Sequence, residues 1–72
     1  MKFYVRLEFS PEGTDPFEIV TLMKSLGYRA VLGDYDFAFD FERPDEYREA
    51  VLKMHAALKG KRVRYSLATK KS

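Results

Sequence analysis

The carboxylates with a regular spacing are Asp34, Asp36 and Asp40, and paired carboxylates can share a proton or hold a hard cation. Asp36 and Asp40 stand four residues apart in an alternating segment, roughly 13 Å by strand rise, which is too far for a proton-sharing dyad. Asp34 and Asp36 are nearer and share a face, but no third hard ligand accompanies them, so the pattern argues against a calcium or magnesium site. His55 is the only histidine. A lone helical histidine, with neither a second ligand nor a serine partner, reads as a boundary residue. Ser10-Pro11-Glu12-Gly13-Thr14 lacks the glycine spacing and the lysine of a phosphate loop. Without cysteine there is no thiol nucleophile, thiolate metal site or disulfide framework. No set of residues supports catalysis, a bound metal or a cofactor, and the chain reads as non-enzymatic.

Charge is the second chemical signal. Residues 1–49 carry all 11 acidic residues, whereas residues 50–72 carry basic residues and no acid. Lys59, Lys61, Arg62, Arg64, Lys70 and Lys71 form that basic third. Two readings fit it. One is a patch that contacts the phosphates of a nucleic acid. The other is a soluble tail plus an edge strand made unattractive to other strands by its charge.

These residues must be positioned by elements that 72 residues can build, which means one small domain near the lower limit for folding alone. Phe3, Val5, Leu7 and Phe9 alternate with polar residues and predict a half-buried strand. Asp15, followed by Pro16 and Glu18, predicts a helix start, with Ile19, Leu22, Met23 and Leu26 as its buried stripe and Gly27 as its stop. Tyr28–Leu32 reads as a short strand, and Gly33-Asp34 as the turn of a hairpin. From Tyr35 to Glu42, aromatics at 35, 37, 39 and 41 alternate with Asp36, Ala38, Asp40 and Glu42, the period of a strand with one apolar and one acidic face. Arg43-Pro44-Asp45-Glu46 opens a second helix, lined by Tyr47, Ala50, Val51, Met54 and Leu58. Val63, Tyr65 and Leu67 are the inward side of a last strand. The order strand-helix-strand-strand-helix-strand predicts an α+β two-layer ferredoxin-like sandwich, a four-stranded antiparallel sheet with both helices on one face. The ordered core is expected over about residues 2–68, with a frayed basic tail over 69–72. No apolar run approaches membrane-spanning length, and Met1-Lys2 leads straight into a strand, so a cytoplasmic protein without membrane contact is expected.

Strand parity leaves Tyr4, Arg6, Glu8, Arg29, Val31, Asp36, Ala38, Asp40, Arg62, Arg64 and Ser66 on the face the helices do not cover. Arg6 is expected to meet Asp36 or Asp40 across the sheet. The bland reading is a solvated face laced with weak ion pairs. The sharper one is a homodimer interface made by Tyr4, Arg6, Arg29, Val31, Asp36, Ala38, Asp40 and Arg64. RNA-recognition domains have the same element order and place an aromatic where Tyr4 stands. Here the acidic parity of Asp36 and Asp40 opposes phosphate.

Gly33-Asp34-Tyr35-Asp36 resembles a turn found in the ligand-binding and oligomerisation domain of the leucine-responsive and asparagine-regulator (Lrp/AsnC-like) family. Leu58-Lys59-Gly60 leading into Arg62-Val63-Arg64-Tyr65-Ser66 is similar to that domain's passage from helix to last strand. The family's helix-turn-helix domain has no counterpart here. The resemblance implies an oligomerising or small-molecule-sensing module that packs through its sheet. The expected function is therefore an interaction or ligand-sensing module that self-associates, with nucleic-acid binding by the basic third as the alternative.

Overall fold

A computed structural model of the chain describes residues 1–70, the last of them by its backbone alone. The elements are β1 (Lys2–Phe9), α1 (Pro16–Ser25), β2 (Arg29–Ala30), β3 (Phe37–Asp40), α2 (Pro44–Leu58) and β4 (Val63–Lys70). The strands form one antiparallel sheet in the order β2-β3-β1-β4, giving the α+β sandwich of the ferredoxin-like kind.

Local chemistry starts both helices. Asp15 caps α1 by accepting from the Phe17 N–H at 2.8 Å, and Pro16 occupies the first turn, where its missing N–H is not needed. At α2, Glu46 Oε1 accepts from the Arg43 N–H at 2.9 Å, closing the first turn back on its own entry. Gly27 stops α1 at a φ of +97°, a conformation that costs a residue with a Cβ.

The core forms where these elements face the sheet. Phe3 lies at its centre with no exposed surface, its ring 4.6 Å from Tyr47, 5.5 Å from Phe39, 5.8 Å from Tyr28 and 6.0 Å from Phe41. Val5, Ile19, Met23 and Met54 are likewise fully buried. Each such side chain contributes about 1.5–3 kcal/mol of transfer free energy. The Tyr28 phenol donates to the Ala50 carbonyl at 3.1 Å, tying the chain after α1 to α2. Its pKa is pushed up to about 12, by burial first and by the neighbouring Tyr65 and Tyr47 second.

Four expectations are corrected. β2 holds two residues where Tyr28–Leu32 was expected, and β3 begins at Phe37 rather than Tyr35. β4 continues past residue 68: Thr69 and Lys70 pair with Phe3 and Lys2, and the Thr69 hydroxyl donates to Tyr47 Oη at 3.1 Å. Non-local pairing with β1 orders a stretch whose own composition suggested fraying. The remainder of the expected tail, Lys71 and Ser72, lies outside the described residues. Phe9, on the inward side of β1 by parity, is 41% exposed.

Candidate interaction site

The uncovered face of the sheet is ordered by the strand registers. One row crosses all four strands, Arg29, Ala38, Tyr4 and Ala68, each directly opposite the next. A second sets Asp40 opposite Lys2, and along the β1–β4 pair Arg6 faces Ser66 and Glu8 faces Arg64. Parity thus placed Tyr4, Arg29, Ala38, Asp40 and Arg64 on one face as expected. Ala38 is not, however, an open patch. It has no exposed surface, since the longer side chains of Tyr4 and Arg29 flank it on both sides.

The expected partners of the charges are rearranged. Arg6 meets neither Asp36 nor Asp40. Its Nε donates to the Asp34 carbonyl at 2.8 Å, and its guanidinium stands 5.4 Å from the centroid of the Tyr35 ring. Arg29 takes Asp40 instead, at 3.4 Å between exposed side chains. Asp36 serves the backbone. Its Oδ2 accepts from the Leu7 N–H at 2.7 Å, while its own N–H donates to the Val5 carbonyl at 2.9 Å. The Leu7 amide points towards the place β3 has left, and the carboxylate substitutes for the missing rung of the ladder. Val31 closes the hairpin, its N–H donating to the Asp36 carbonyl at 3.0 Å.

Tyr35 is the residue the parity argument missed. Counted as inward with Phe37, Phe39 and Phe41, it lies instead against Tyr4, ring centroids 5.4 Å apart at 33°. The alternation holds only while the chain is paired, and pairing starts at Phe37. The available signal was Gly33-Asp34, since a chain leaving a turn at a φ of +110° need not enter the ladder at once. Tyr4, Tyr35 and Arg6 thus form one aromatic–cation cluster beside the Ala38 row. Of the two carboxylates on this face, Asp40 is paired with Arg29, whereas Asp36 keeps its charge and accepts from the Leu7 amide.

Of the basic third, Lys59, Arg62 and Arg64 line one groove, while the other described cations have separate settings. Lys59 follows the end of α2, and Arg62 pairs with Glu12 at 3.3 Å. Lys61 is half-buried in the turn, where its carbonyl accepts from the Thr14 N–H at 3.1 Å. Arg64 faces Glu8 on the open side, and Lys70 ends β4. Gly13 packs so closely on this turn that an added Cβ would stand 2.8 Å from the Lys61 carbonyl oxygen. His55, expected as a boundary residue, shares a 2.9 Å hydrogen bond between its Nδ1 and the Tyr65 hydroxyl. Among the described residues no group of three acidic, histidine or cysteine side chains is placed to hold a metal, and no helix is long and apolar enough to cross a membrane.

Compared with known proteins, the chain matches no family model, and no curated protein or solved structure is significantly similar to it.

Proposed function

We propose that the protein is an interaction module that self-associates through its uncovered sheet face. The observation that carries the reading is the Tyr4–Tyr35–Arg6 cluster, with its rings 5.4 Å apart and its guanidinium held by the Asp34 carbonyl. Tyrosine and arginine are the side chains that most often carry binding energy at interfaces, and here they lose little freedom on binding because they are already held. Arg29 with Asp40 and Arg64 opposite Glu8 supply paired charges of both signs, so a second copy turned about a two-fold axis meets complementary groups. The likeness of Gly33–Asp36 to the turn of the Lrp/AsnC-like domains, which pack through their sheets, points the same way. A sheet face offers area rather than enclosure, which favours a protein partner over a small molecule.

The available area sets the strength. Strands of eight, two, four and eight residues give a face of roughly 350 Å², below the size of stable interfaces and in the range of weak, transient ones. The dimer is accordingly expected to dissociate in the micromolar range, and sedimentation velocity between roughly 10 and 500 μM reads it. Tyr35→Arg sets a second cation beside Arg6 at the centre of the face, and its own copy across the axis, so this variant should remain monomeric with unchanged circular dichroism. A wild-type protein still monomeric at the upper concentration overturns the proposal.

A further inference from the structure

The two edges of the sheet are unlike. β2, at one edge, is two residues long, whereas β4, at the other, is eight and has β1 as its single neighbour. The direction of the free backbone groups of β4 follows from the far side of β1. Met1 and Phe41 exchange both hydrogen bonds, at 3.1 and 2.9 Å, so the odd residues of β1 bond towards β3 and the even ones towards β4. The registers then turn the amides of Arg64, Ser66 and Ala68 inward to β1, and those of Val63, Tyr65, Leu67 and Thr69 outward to the edge.

Helix α2 runs alongside that edge. It is tied to β4 twice, His55 to Tyr65 and Tyr47 to Thr69. The ties are eight residues apart on the helix and four on the strand, about 12 Å and about 13 Å respectively, so the two axes are nearly aligned. Between the ties, Leu67 remains 37% exposed on the side that faces the helix. At the start of the strand the channel opens into a groove of about 550 Å³, whose lining includes His55, Leu58, Val63 and Tyr65 together with Lys59 and Arg62. An unpaired strand beside a helix, with an apolar floor and a cationic mouth, is what an extended peptide needs: backbone groups for pairing and pockets for alternate side chains.

We infer that the β4 edge accepts an extended acidic segment of another protein as a fifth strand, its alternate apolar side chains lying between β4 and α2. The charge decides the partner. After Glu49 the chain has no acidic residue, and Lys59, Arg62 and Arg64 surround the groove with Glu8 and Glu12 as their only counter-charges among the described contacts. A second β4 is a poor occupant, because antiparallel pairing about Leu67 sets Arg64 of each copy opposite Lys70 of the other. A nucleic acid would match the cations but not the row of free amides and carbonyls.

The probe is a fluorescein-labelled heptapeptide alternating aspartate or glutamate with valine, and the readouts are anisotropy and amide hydrogen exchange. Binding should slow exchange at Val63, Tyr65, Leu67 and Thr69. Leu67→Pro removes an amide that β1 does not use, so the fold should survive while affinity falls by roughly tenfold or more. Lys59→Glu, an exposed change outside the ladder, should weaken binding and flatten its salt dependence. The inference is overturned if the peptide does not bind, if Leu67→Pro binds it as tightly as wild type, or if protection appears on β2 or β3 instead. Binding of a single-stranded oligonucleotide in place of the peptide, indifferent to Leu67→Pro, also overturns it and assigns the basic third to nucleic acid.

Discussion

The two faces of the sheet are built from the same strands and held by opposite means. The helix-covered face is a ring cluster around Phe3, with Tyr28, Phe39, Phe41 and Tyr47 in contact and no water-exposed surface at its centre. The open face is held by individual polar contacts: Arg6 on the Asp34 carbonyl, Asp36 on the Leu7 amide, Arg29 on Asp40. The first is stabilised by area removed from water, the second by placement of charges that remain hydrated. Stability therefore concentrates on the helix-covered side.

Mutations should separate the two faces. Phe3→Ala removes the centre of the ring cluster and should cost about 3–5 kcal/mol, a large share of the stability of so small a domain. Urea denaturation followed by circular dichroism should show a transition lost or moved close to zero denaturant. If Phe3→Ala unfolds at the wild-type midpoint, the covered face is not the source of stability.

Gly13→Ala tests the turn that joins the ends of β1 and β4. A methyl group 2.8 Å from the Lys61 carbonyl forces backbone to move, at a cost of about 1–3 kcal/mol, visible as a lower Tm.

The Tyr28 phenol gives the covered face a pH dependence. Its folded pKa, about 12, lies above the ordinary 10.0, so the neutral phenol is the form the fold prefers. The contribution is complete below pH 10 and is lost as pH rises towards 12, on the order of 1–3 kcal/mol. In an ultraviolet titration one of the five tyrosines should ionise last, and Tyr28→Phe should abolish that late step. A titration in which all five ionise together would contradict the burial argument.

On the open face the effects shrink. Asp36→Ala leaves the Leu7 amide without its acceptor, but at a half-solvated site, and should cost about 1 kcal/mol. Arg29→Ala breaks an exposed ion pair worth about 0–1 kcal/mol. A loss above about 2 kcal/mol for Arg29→Ala would erase the distinction between the faces.

The chain by itself determined the order of six elements, the helix starts at Asp15-Pro16 and Arg43-Pro44, and the side chains that enter the core from α1, α2 and most of β1. These follow from side-chain periodicity and from caps, which act within a few residues. Tertiary structure decided the rest of the face. Tyr35 left the core side because β3 joins the ladder only at Phe37, and a strand's parity is defined only where it is paired. Arg6 exchanged a carboxylate for a carbonyl and a ring, Ala38 was enclosed by Tyr4 and Arg29, and β4 ran on to Lys70. Each depends on register between strands, for the pairs with β1 across about 30 or more residues. That register is set by the packing of the whole core, and no local pattern of the sequence encodes it.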